Sequence, residues 1–214
     1  QEAKRKTDSP SAVATETLYE ILHDKHRMRR WRIGHEAGLR KLDRAAMMKF
    51  YRNYYRPSNT ILSIVGNIDI DDAMERVERH YGGLPAGTPV RDIGPAEPHH
   101  DDLRYREMSG DISQSQVVIG WRTPSTTHED TPRLEVAAQI LGAGRSSRLY
   151  RALRERQLAS SVSAYNYSLT ELGVFVIHAE TEPPKAAEAL SAAWEQVRSF
   201  REDPIEPLEL ERTR

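Results

Sequence analysis

The spacing of apolar residues changes sharply between residues 43 and 83. Behind Asp43, a good N-cap, Ala46, Met47, Phe50, Tyr51 and Tyr54 recur at the 3, 4, 7, 8 spacing of one buried helical face, and Pro57 ends that helix. Thr60 to Val65 then turns β-branched, with Ile61, Leu62, Ile64 and Val65 apolar. So dense a run predicts a strand buried on both faces. Gly66-Asn67 turns the chain into a second helix, with Ala73, Met74, Val77 and Tyr81 as its stripe and Gly82-Gly83 as its stop. Helix, strand and helix around a buried strand predict an α/β layered core.

The same patterns organise the rest. Ser9 caps a helix to His23, with Pro10 at its first turn and Ala14, Leu18, Ile21 and Leu22 on its apolar face. Leu103–Met108 and Gln114–Trp121 read as strands closed by Thr123-Pro124, and a helix opens at Asp130, Thr131 and Pro132 and stops at Gly142 and Gly144. Ser146 or Ser147 caps a further helix through Leu149, Ala152 and Leu153. Ser160–Ser168 and Gly173–Glu180 alternate as a hairpin, and Lys185–Phe200 is the most regular helix. A new helix begins at the closing LELERTR, which suggests that the sequence is a piece of a longer protein, as does a start without Met.

Composition narrows the function classes. A chain of 214 residues with 38% hydrophobic and 29% charged residues fits a soluble globular protein, in cytoplasm or periplasm alike. Net charge −1 gives no global case for nucleic acid or an anionic membrane. No run is long and apolar enough for a membrane span. Zero cysteines exclude disulfides and thiolate metal sites. The basic segment 25–32, around Trp31, has the residues to bind phosphate and stack a base, but reads better as a solvated loop with Trp31 and Met28 packed down. His23 and His26 make one H-x-x-H pair without a third ligand and read as solvated. Four adjacent residues, His99, His100, Asp101 and Asp102, cannot all turn to one ion without a bend and read as linker. GAGRSS lacks a phosphate loop's glycine spacing and joins helix to helix, so it reads as a tight turn; His178 reads as structural. No H-E-x-x-H, H-x-x-E-H or nucleophile elbow occurs.

Six phrases add a resemblance: EAKRKTDSP, RIGHEAGLRKLD, FYRNYYRPSNTILSIVGNID, HYGGLP, ILGAGRSSRLYRALRERQLASSVSAY and LGVFVIHAETEPP. In this order they resemble the insulinase/pitrilysin family of zinc metallopeptidases, the inverzincins, which include mitochondrial processing peptidase. The resemblance implies an α+β fold, layered mixed or antiparallel sheets with packed helices, built from parts of two homologous domains. Residues 1–88 would be the C-terminal half of the first, 89–102 a linker and 103–214 the N-terminal part of the second.

In that family two histidines and a distant glutamate hold zinc, and the glutamate of H-x-x-E-H activates water. The resemblance makes Glu2 the third zinc ligand, with the histidines and the base upstream of these residues. It implies a metalloendopeptidase parent acting on extended or unfolded peptides, and a 214-residue chain that is itself inactive and holds no zinc tightly. Arg154 matches a family substrate-binding Arg, but Ser160 and Ser161 stand where a Tyr is expected, which weakens a direct substrate role and makes a surface ion pair on its helix nearly as good a reading for Arg154. That departure suggests a bacterial member that borrows the Tyr from a partner subunit or does without it. A non-catalytic scaffold or partner subunit of the same family is the alternative. The implied partners are a peptide substrate and a second subunit, as a homodimer or heterodimer, with no nucleic acid and no membrane span. The two halves are expected to pack together like one permuted domain or to expose sheet edges that dimerise.

Overall fold

The structure is a computed structural model that describes residues 1–88 and 94–213; five residues of the expected 89–102 linker, 89–93, lie outside the described residues. In chain order the helices are α1 (Glu2–Thr7), α2 (Pro10–Leu22), α3 (Glu36–Leu39), α4 (Arg44–Tyr54) and α5 (Ile70–Tyr81), then α6 (Thr131–Gly142), α7 (Ala186–Glu202) and α8 (Pro207–Glu211). The strands are β1 (Ser115–Thr123), β2 (Ser161–Ser168) and β3 (Gly173–Thr181). Two units result: Gln1–Ile33 with Ala96–Arg214, and Gly34–Pro95.

The first unit is built on an antiparallel sheet of order β1-β3-β2. β3 pairs with β1 from Ser115↔Thr181 to Thr123↔Gly173, and with β2 from Ser161↔Glu180 to Ser168↔Gly173. Its residues point alternately to two cores. Phe175, Ile177 and Ala179 join Leu141, Leu149, Leu153, Ala189 and Ala193 under α6 and α7. Val174 and Val176 join Leu18, Tyr19 and Met28 under α2. A central strand buried on both faces explains why β3 is a nearly continuous apolar run. Glycine lets the layers approach: a Cβ on Gly142, at the end of α6, would lie 2.1 Å from the Ala164 nitrogen of β2.

Local signals hold where they rest on backbone chemistry. Ser9 Oγ accepts the Ala12 N–H, with Pro10 in the first turn. Asp43 and Asp69 cap α4 and α5 in the same way. Ser147 Oγ accepts the Tyr150 N–H, but the turn it opens, Tyr150–Arg154, is π-helical instead of α-helical.

Two predicted strands are not strands. Leu103–Met108 does alternate, but its partner is a helix. Arg104 donates to the Ile21 carbonyl and to Asp24, Arg106 lies 3.6 Å from Glu20, and Met108 Sδ accepts from Thr17 Oγ1, while Leu103 and Tyr105 face solvent. A helix has no free backbone ladder to offer, so no strand forms.

Thr60–Val65 is the other correction. It is not a strand and it is not buried: Ile61 is 97% exposed and Val65 94%. A strand needs a neighbour, and among the described residues Ile61–Val65 form no backbone hydrogen bond. The predicted faces of α4 and α5 are likewise uncovered, and the unit Gly34–Pro95 contains no buried residue among those described.

Candidate functional site

Glu2 stands exposed on α1, in the wall of a concavity of about 530 Å³ completed by Arg5, Lys6, Ala12, Arg32 and Ile33. Beneath it Glu16 of α2 is 1% exposed and draws two of these cations together. Lys6 Nζ pairs with Glu16 Oε1; Arg32 donates to the same oxygen from Nε at 3.2 Å and to Oε2 from its backbone N–H at 3.3 Å. Glu16 is thereby engaged and offers no second ligand beside Glu2. A zinc ion at Glu2 would meet one carboxylate among three cations, where zinc needs three or four donors. These residues by themselves do not fit zinc.

Arg154 is exposed on the π-helical turn. Its Nη1 donates to the Ala159 carbonyl at 3.4 Å, and it has no ion pair among the described residues, whereas Arg156 lies 3.7 Å from Glu188. Glu2 and Arg154 share no contact, so the two residues singled out by resemblance are not brought into one site.

The sequence singles out only His100 of a third arrangement, in which residues far apart in the chain converge after α2. The side chains of Asp24, Glu97 and His100 each place a metal-competent atom within 4.8 Å of the others. Their lone pairs are already committed. Glu97 accepts the backbone N–H groups of Asp24, Lys25 and His26 at 2.5, 2.9 and 2.6 Å. Arg104 donates to both Asp24 oxygens at 2.8 and 3.2 Å, and Arg122 Nη1 stands 3.6 Å from Glu97. Two guanidinium groups occupy the space a cation would take, so the cluster works as an ionic clasp on the turn after α2. His100 joins it at 2.7 Å from Asp24, while Asp101 and Asp102 stay exposed.

The histidines beside the clasp correct the solvated reading, since His23 is 1% and His26 3% exposed. His26 Nδ1 accepts the Met28 N–H, which leaves Nε2 to donate to Glu171 at 2.6 Å. His23 Nδ1 donates to the Tyr19 carbonyl at 2.9 Å, and its Nε2 is buried without a partner among the described residues. Burial therefore pushes the His23 imidazole below its ordinary value of 6.5, and burial does the same to His178, which bonds Gln116 at 2.8 Å. A histidine held neutral in the fold takes up a proton more readily when unfolded. Stability is full above about pH 6.5 and falls as pH drops through the lowered folded values. Urea unfolding between pH 8 and pH 5 is expected to show this loss, and His23→Gln to flatten it; a His23→Gln slope equal to wild type would refute the assignment.

A family model described as "Peptidase M16 inactive domain" matches residues 41–214. Among curated proteins the chain is 28% identical over 192 residues to an "Uncharacterized zinc protease" of Rickettsia felis, covering 86% of this chain and 44% of that protein. It is 25% identical to the Bacillus subtilis "Uncharacterized zinc protease YmxG", over 100% of this chain and 52% of the relative. The chain thus spans about half the length of the curated relatives it matches. Among solved structures, a protease from Helicobacter pylori superposes with TM-score 0.81 at 24% identity, over 99% of this chain and 53% of the other. A peptidase M16 inactive domain from Pseudomonas fluorescens gives 0.85 at 20%, over 99% and 52%. At these identities the two structures establish the fold.

Proposed function

Because the chain belongs to the peptidase M16 family through its inactive-domain model, we propose that it is a non-catalytic portion of a zinc-dependent metalloendopeptidase that hydrolyses extended or unfolded peptides with a zinc-activated water. In this reading residues 1–88 close a first domain, 103–214 open a second, and Glu2 is the third zinc ligand. The two histidines and the general base would come from parts of the parent protein outside these 214 residues. Arg154, exposed and free of an ion pair among the described residues, is available to a peptide.

The observation that carries the reading is the family match over residues 41–214; the setting of Glu2, a single accessible carboxylate walled by cations whose own partner is Glu16, supports a chain that holds no zinc by itself. One carboxylate is a third of a donor set. Metal analysis after dialysis against free zinc is expected to find well below one equivalent in this chain, together with no hydrolysis of unfolded peptides. Stoichiometric tight zinc in the 214-residue chain would sink the proposal. In the parent protein, Glu2→Ala is expected to lower zinc affinity by roughly 10–100-fold or more, since it removes a direct ligand. A second reading, a scaffold or partner subunit with a decayed zinc site, is favoured by the family's description as inactive. A parent sequence without H-x-x-E-H would select it.

A further inference from the structure

In the domain assignment proposed above, residues 1–88 and 103–214 belong to different domains, yet residues 1–33 and 96–214 form one compact unit. The helix α2 is the reason. It covers the face of β3 opposite α6 and α7, where Leu18 and Tyr19 close over Val174 and Val176, both fully buried. The approach is close enough that a Cβ on Gly120 of β1 would come within 2.7 Å of Leu18 Cδ2. Polar groups interlock around this apolar seat. Arg104 Nη1 donates at 2.8 Å to the Ile21 carbonyl, in the last turn of α2, where carbonyls lack a helical partner. Glu97 accepts three backbone N–H groups of the turn that follows. Glu171, between β2 and β3, takes His26 Nε2 at 2.6 Å and Arg27 Nη2 at 2.5 Å. Three separated points of the later chain thus grip the end of one helix.

The solved structures that superpose over 99% of this chain are about twice its length, so the fold accommodates α2 on the sheet with the rest of such a chain present. We propose that α2 and the turn after it are an anchor by which the first domain of the parent protein is built into the second, so that residues 1–33 and 103–214 move and unfold as one body. The inference rests on the domain assignment proposed above. Its consequence concerns Glu2, which stands on α1, four residues before Lys6, whose ammonium pairs with the buried Glu16 of α2. Glu2 and Lys6 share a helical face, so the anchored α2 also sets the direction in which α1 presents Glu2. A domain without a catalytic residue of its own thereby holds the helix pair that carries Glu2.

A protease site inserted after Thr88 lets the 214-residue chain be cut between the two assigned domains without touching Glu97. After cleavage the pieces 1–88 and 89–214 are expected to co-elute as a 1:1 particle at micromolar concentration and to part in urea. Leu18→Ala should weaken the cut complex by roughly tenfold or more. Glu171→Ala should weaken it by roughly fivefold or more, because the buried His26 ring loses its acceptor. Ile61→Ala, on the exposed apolar face of the unit Gly34–Pro95, is the control and should leave it unchanged. Amide exchange in the uncut chain gives a second measurement: Val176→Ala should lower protection in α2 and in β3 by the same factor, as expected of one cooperative unit. Pieces that elute apart, a cut complex weakened by Ile61→Ala but not by Leu18→Ala, or α2 amides that keep their protection while those of β3 lose it would each overturn the anchor. Failure of the zinc reading shows separately, as a parent protein in which Glu2→Ala leaves zinc affinity unchanged while the cut pieces still co-elute.

Discussion

Gly142→Ala is expected to destabilise the sheet-bearing unit by about 3 kcal/mol, and Gly142→Val by more. The added Cβ would sit 2.1 Å from the Ala164 nitrogen, 2.6 Å from its Cβ and 2.8 Å from its Cα. Two of those atoms are backbone of β2, which is held in register along β3 from Ser161 to Ser168. No side chain can swing aside, so α6 must lift from the sheet and loosen the contacts of Ala138 and Leu141 with the main core. Alanine's better helix propensity, up to about 1 kcal/mol, offsets only part of this. For a unit of this size 3 kcal/mol corresponds to a fall in Tm of roughly 6–12 °C. Trp121 and Trp194, stacked with centroids 6.2 Å apart in the same unit, provide the fluorescence signal. Gly83→Ala, with nothing within 4 Å of the added Cβ, is the control. If Gly142→Ala and Gly83→Ala unfold at the same urea concentration, the close approach is not what fixes glycine at 142.

Legibility in the sequence followed the range of the interactions. Ser9-Pro10, Asp43 and Asp69 act within three residues, and each starts its helix where the residue pattern predicts. The β2–β3 hairpin was equally readable, because a short turn joins its alternating strands and the apolar density of β3 reports the two cores that enclose it. Burial set by distant residues was not readable. His23 and His26 look like solvent residues until Glu97, 71 residues beyond His26, closes on the backbone of Asp24, Lys25 and His26 between and beside them and Glu171, 145 residues away, takes the His26 ring. Glu16, one acid on an amphipathic helix, gives no hint that Lys6 and Arg32 enclose it.

Leu103–Met108 and Thr60–Val65 failed for different reasons. In the first the alternation is real, and a helix takes the place of the expected strand. In the second the composition is that of a buried strand and nothing among the described residues covers it. A residue pattern records what a segment is suited to bury and cannot record which surface does so. The two candidate residues are limited in the same way, since neither Glu2 nor Arg154 has a spacing or periodicity that marks it. Only the family resemblance selected them, and their surroundings describe accessibility and charge.

Glu97→Ala is expected to cost about 1–3 kcal/mol at pH 7, the cost of leaving a buried donor without its acceptor. The Glu97 side chain is 5% exposed and accepts three consecutive backbone N–H groups while facing Arg122. Alanine leaves the His26 N–H, in a part-buried bond, without an acceptor at about 1–3 kcal/mol, while the N–H groups of the exposed Asp24 and Lys25 turn to water. The turn also positions Met28 in the core beneath α2, so the loss propagates to the packing of Leu18, Val174 and Val176. Glu97→Gln separates charge from shape: it keeps one acceptor oxygen but aims an NH₂ at a backbone N–H. Burial alone would raise the Glu97 carboxyl, yet the three backbone N–H groups outweigh it and hold the group below its ordinary value of 4.5. A carboxylate depressed in the fold stabilises above about pH 4.5, and that stabilisation disappears as pH falls through the folded value. The difference in unfolding free energy between wild type and Glu97→Gln should therefore be constant from pH 7 to about pH 5 and shrink below it. A penalty that stayed the same from pH 7 to pH 3, or one under about 0.5 kcal/mol at neutral pH, would mean that the carboxylate is not what holds the turn after α2.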